Sequence, residues 1–179
     1  MTETSKLNRS PSRMTRAEFL AAFGSVYEHS PWIAEAAADA GLGADADTAA
    51  GLAACLASVV DGAPPATKLA LLRAHPDLAG KLALAGEMTD SSVSEQASAG
   101  LDRCSPAELA RFQELNDAYV GKFGFPFILA VRGYQRAEIL EIFARRLENS
   151  PEVEFAEALR QVNRVASLRI RDRFDAGTP

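Results

Sequence analysis

This sequence predicts an all-α protein, and three observations carry that prediction. Apolar residues recur at i, i+3, i+4 and i+7 in several separate windows, the spacing of one helix face. Helix-start signals of the Ser/Thr-x-x-Glu and Ser-Pro kinds punctuate the chain. Only one window, 125–131, has strand-like composition, and one strand cannot make a sheet. The expectation is a single compact domain of about seven to nine helices, with 125–131 as an extended buried connection.

Taken in order, residues 1–13 are a polar lead-in of Ser, Thr, Arg and Pro, expected to be disordered. The domain is expected over 14–175. Thr15 with Glu18 forms a capping box at the first helix start. Ser30-Pro31 pairs an N-cap residue with proline at the first helical position, where the missing N–H costs nothing. Gly41-Leu42-Gly43 and Pro64-Pro65 mark breaks. Between them Leu52, Cys55, Leu56 and Val59 make one helical face. Pro76 disfavours helical geometry at His75 and ends the next helix. Ser92 with Glu95 reads as another capping box, and Ser105-Pro106 followed by Glu108 combines both devices. Leu109, Phe112, Leu115 and Tyr119 form a second face; Ile139, Ile142, Phe143 and Leu147 form a third. Ser150-Pro151 starts a last helix reaching about Phe174, with Phe155, Leu159, Val162 and Ala166 as its stripe. There is no fixed-period repeat.

Composition narrows the function classes. A chain of 179 residues is one domain on length alone and can bury a core without staples. Hydrophobic content of 47% against 24% charged residues is ordinary for a globular protein. A net charge of −5 offers no broad cationic field, which argues against a nucleic-acid partner. The longest apolar runs fall far short of a membrane span, so no membrane partner is expected. The polar N-terminus has no secretory core and the C-terminal DAGTP is not a peroxisomal signal, so a cytoplasmic protein is expected. Two cysteines are too few for a disulfide framework. Cys55 reads as a buried small hydrophobe and Cys104 lies in a connection; free thiols suit a reducing compartment, with a single pairing as the alternative. Two histidines without a Cys/His cluster give a zinc site little support.

Three groups of residues can carry chemistry. His75 sits at a helix end on an apolar face, between Leu72 and Leu78. It is either a core histidine bonded to a carbonyl or a desolvated imidazole tuned to pass a proton. Glu95 is either the second half of a capping box or a ligand-binding carboxylate beside Ser-rich backbone donors. Gln96 can both donate to and accept from an amide-like ligand. Arg169 extends the last apolar stripe. It must find a structural partner, snorkel to the surface, or present its planar fork to a carbonyl or carboxylate of a ligand.

Four separated motifs share one order: YEHSPW at 27–32, AHPDLAGK at 74–81, SSVSEQASAGL at 91–101 and FGFPFILAV at 123–131. In these the chain resembles the OHCU decarboxylases, in full 2-oxo-4-hydroxy-4-carboxy-5-ureidoimidazoline decarboxylases. The resemblance runs from about Phe19 to Ile170. It implies an all-α homodimer without cofactor that converts the uricase-pathway intermediate to (S)-allantoin and CO2. It places the catalytic pair on His75 and Glu95. Substrate contacts fall on Pro76, on Ser92, Val93, Ser94, Glu95 and Gln96, on Phe127, Ile128, Leu129, Ala130 and Val131, and on Arg169. No metal is implied. Two alternatives stand beside this reading: a non-enzymatic helical ligand-binding or interaction module, and, within the resemblance, a decarboxylase or hydrolase of a related ureide using the same pocket.

Overall fold

The computed structural model describes residues 10–78 and 90–177, with Ser92 and Gln96 by backbone alone. Every regular element among them is helical. In chain order these are α1 (Arg16–Phe23), α2 (Trp32–Ala40), α3 (Ala49–Gly62), α4 (Pro65–Ala74), α5 (Asp90–Ser98), α6 (Pro106–Phe123), α7 (Arg136–Leu147) and α8 (Pro151–Asp175), with three short 3-10 segments. The all-α expectation holds, with eight α-helices among the described residues. Part of the AHPDLAGK motif, from Ala79 onward, lies outside them, as does the lead-in up to residue 9.

The packing sorts into two compact units. One comprises 1–74 with 162–179, the other 75–161. In the first, α1 packs on α2 and α2 on α3. Its capping box is as read: the Thr15 side chain accepts from the Glu18 N–H while the Glu18 carboxylate accepts from the Thr15 N–H. Phe19, Phe23, Ile33, Leu52, Leu56, Val60, Leu72 and Ile170 are fully or nearly fully buried. Burying a large apolar side chain contributes about 1.5–3 kcal/mol, so this set outweighs any single polar contact in the unit. The α3 face differs by one residue from the spacing read in the sequence. Val60 is buried, whereas Cys55 and Val59 are half-buried. Both cysteines are free thiols.

Two starts differ from their sequence signals. Ser30 makes no side-chain cap; α2 begins at Trp32 behind Pro31. The lead-in expected through residue 13 acquires structure earlier, because Ser12 bonds Asp47 through both its N–H (2.9 Å) and its hydroxyl (2.8 Å). Those two bonds fix a 3-10 turn over Pro11–Arg13 and bury Pro11.

In the second unit α6 packs on α7. Ser105 and Glu108 form the expected reciprocal cap at the start of α6. Gly124 ends that helix with φ +76, a left-handed conformation that costs glycine nothing and a β-carbon-bearing residue about 1 kcal/mol or more. From there the chain runs extended without pairing into a sheet, and Phe125, Phe127, Ile128, Leu129, Ala130 and Val131 are all buried. This is the buried connection the sequence predicts.

Candidate active site

His75 and Pro76 open the second unit and are half-buried, as is Asp77. The turn is anchored to α6: the Asn116 Nδ2 donates to the Asp77 carboxylate at 2.5 Å, and Asn116 is itself buried. The other histidine, His29, is exposed in a turn with φ +59, which leaves His75 as the imidazole in a partly desolvated setting.

Glu95 is not a capping residue. Helix α5 already includes Asp90, so Ser92 lies within the helix and provides no start for Glu95 to close. Ser91 and Glu95, one helical turn apart on α5, are half-buried, whereas Val93 and Ser94 are exposed. Only the backbone of Ser92 and Gln96 is described. The end of α5 is tied to α7, since Arg136 donates to the Gly100 carbonyl at 3.0 Å and to Glu108 at 3.2 Å.

The extended segment is held by buried polar side chains that the sequence reading did not single out. Arg146 on α7 donates through Nη1 to the Ile128 carbonyl at 2.6 Å. Gln161 on α8 accepts the Ala130 N–H at 3.0 Å. The Arg146 guanidinium stands 4.6 Å from the Phe127 ring centre, and Phe127 stacks on Phe143 at 3.8 Å. The charge on Arg146 is balanced by Glu154, which is wholly buried and accepts from Arg146 Nε at 2.9 Å. Tyr119 donates its hydroxyl to the same carboxylate, and Asn149 adds a bond at 2.9 Å. Burial first, and the Glu154 bond second, raise the Tyr119 hydroxyl above its ordinary range, so it stays a donor. A signal for this network was present. Arg146 continues the Ile139, Phe143 face, and Glu154 and Gln161 flank Ala158 at helical spacing, one residue away from the Phe155, Leu159 stripe.

Arg169 belongs to the first unit. It is buried, with Nη2 donating to Glu28 at 3.2 Å and Nη1 to the Val26 carbonyl at 3.4 Å. The neighbouring Tyr27 hydroxyl donates to Asn163 at 2.7 Å, so three successive residues, 26–28, receive the C-terminal part of α8. Arg173, four residues further along α8, is half-buried and donates to the Ser25 hydroxyl at 2.8 Å. Burial, and then the nearby Arg169 charge, lower its pKa.

Of the residues singled out in the sequence, His75, Pro76, the 92–96 stretch and the 127–131 stretch all fall within the second unit, and Arg169 falls in the first. A histidine at a helix end, a half-buried carboxylate on a short helix and a clamped extended backbone, all within one unit, define an all-α protein whose groups can exchange a proton with a small polar ligand. Comparison with known proteins gives that class its family. The family model for OHCU decarboxylase matches residues 12–171. The chain is 40% identical over 165 residues to the 2-oxo-4-hydroxy-4-carboxy-5-ureidoimidazoline decarboxylase of Haloferax volcanii, covering 92% of this chain and 94% of that one. Its counterpart from Halalkalicoccus jeotgali is 43% identical over 157 residues, covering 88% and 85%. Among solved structures, the crystal structure of (S)-allantoin synthase superposes with a TM-score of 0.70 at 34% identity, over 91% of this chain and 52% of that one. An OHCU decarboxylase crystallised in the presence of (S)-allantoin gives a TM-score of 0.67 at 26% identity, over 86% and 97%. The chain belongs to the OHCU decarboxylase family.

Proposed function

We infer that this protein is a carboxy-lyase that converts 2-oxo-4-hydroxy-4-carboxy-5-ureidoimidazoline to (S)-allantoin and CO2 in uric acid degradation. The observation that carries the reading is family membership across nearly the whole chain, residues 12–171. The chemistry suits the side chains. Cleavage of the bond to the carboxylate sends its electron pair into the adjacent ring C=N, so the substrate is its own electron sink and needs no cofactor to accept charge. The enol so formed becomes a ring carbonyl as the hydroxyl proton departs, and a new C–H bond forms at the ureido-bearing carbon. The enzyme's work is then orientation, polarisation of the hydroxyl and delivery of that proton to one face.

In this proposal His75 passes the proton and Glu95 binds the substrate and steadies its polar hydrogens. Pro76, the 92–96 stretch and the backbone of 127–131 hold the ring and ureido groups, and buried apolar side chains exclude water. A homodimer, implied by the resemblance, and a cytoplasmic setting, expected from composition, complete the reading. No helix of the described residues is long and apolar enough to cross a membrane. Circular dichroism of freshly made substrate tests the function. Spontaneous decay yields racemic allantoin, so the protein must accelerate the appearance of one enantiomer; unchanged racemic decay would refute the reading.

A further inference from the structure

We propose that Gln161, together with the Arg146–Glu154 pair, forms a set of positioning residues that fix the backbone of 127–131 in its substrate-binding shape. The proposal rests on the reading that this segment meets the substrate. An extended segment outside a sheet lacks the ladder of bonds that ordinarily fixes a strand, so its shape must come from side chains. Two backbone positions two residues apart receive such bonds, Ile128 through its carbonyl and Ala130 through its N–H. The side chains that supply them come from different helices, α7 and α8. Each is itself constrained. Arg146 is held by Glu154 at 2.5–2.9 Å, and Gln161 donates to Glu157 at 2.8 Å. Gln161 is 3% exposed, so the bond to Ala130 competes with little water. Phe127, stacked on Phe143 and faced by the guanidinium, fixes the near end of the same stretch. Nothing in this set is an acid or base for the reaction. Its effect is to hold the remaining backbone of 127–131 in register for a ligand, a cost otherwise met at binding.

Gln161→Leu is the informative variant, because it keeps side-chain bulk and leaves the Arg146–Glu154 pair intact while removing the acceptor. The paired swap Glu157→Gln with Gln161→Glu keeps both an acceptor for Ala130 and the bond between 157 and 161. We expect Q161L to raise KM for the ureidoimidazoline by about tenfold, the equivalent of one buried hydrogen bond, with a smaller fall in kcat. Amide exchange at 127–131 should quicken in the free protein, while the melting midpoint moves little. The swap should restore KM and exchange protection. Wild-type KM together with wild-type exchange in Q161L would overturn the proposal, as would equal losses of exchange protection throughout the unit. If wild-type protein does not turn over the substrate, the functional reading fails, and with it the substrate half of this proposal. Exchange at 127–131 decides the structural half independently.

Discussion

Glu95 sits half-buried inside α5, with no helix start for it to cap. The SSVSE spacing alone could not show this, because a capping box and an internal Ser-x-x-Glu are the same string until the helix start is known. A substrate-binding carboxylate predicts that Glu95→Gln lowers kcat/KM by about tenfold or more while the melting midpoint stays near wild type. A shifted midpoint with normal kinetics would return Glu95 to a structural role. Arg169 shows the opposite balance, since it is buried with Glu28 as a partner. The sequence placed it on an apolar stripe but could not name that partner, which lies 141 residues away. Arg169→Lys keeps a charge for Glu28 and loses the planar fork, so a ligand contact predicts a fall in activity of about tenfold or more. Arg171→Lys, at an exposed position on the same helix, is the control and should leave activity near wild type. If only stability responds to Arg169→Lys, the arginine is a structural cation.

At the scale of elements, the helix starts at Thr15 and Ser105 were legible because capping chemistry is local. The 125–131 connection was legible too, since an aromatic run with no pairing partner has to be buried without a sheet. What clamps it was not legible. Arg146, Glu154 and Gln161 depend on how α7 and α8 are packed, and a charged residue one position from an apolar stripe ordinarily reads as solvated. The clamp carries its own prediction. Glu154→Ala leaves the Arg146 guanidinium buried without its counter-charge and the Tyr119 hydroxyl without its acceptor, so it should cost about 3–5 kcal/mol of stability. Chemical denaturation measures this directly. A loss below about 1 kcal/mol, the size of an exposed pair, would show that the pair is not the buried anchor described here.

For the whole molecule, the sequence supported one all-α domain over 14–175, and the packing resolves two compact units with boundaries at 74/75 and 161/162. Neither boundary coincides with a change in composition: one falls between Ala74 and His75, the other inside α8. Periodicity reports which face of a helix is buried and not which helices bury it together, so such a division is invisible to it. The order of the motifs carries the family resemblance, which the match over residues 12–171 bears out. In the proposed reaction His75 delivers the proton that sets the configuration of the product. The direct measurement is the dichroism of allantoin formed from fresh substrate by wild type and by His75→Asn at equal concentration. Wild type should rapidly accumulate the S enantiomer. The variant should turn over about a hundredfold more slowly or worse and give product approaching the racemate, while its helical spectrum is unchanged. A His75→Asn protein that still makes (S)-allantoin at a substantial fraction of the wild-type rate would contradict this role.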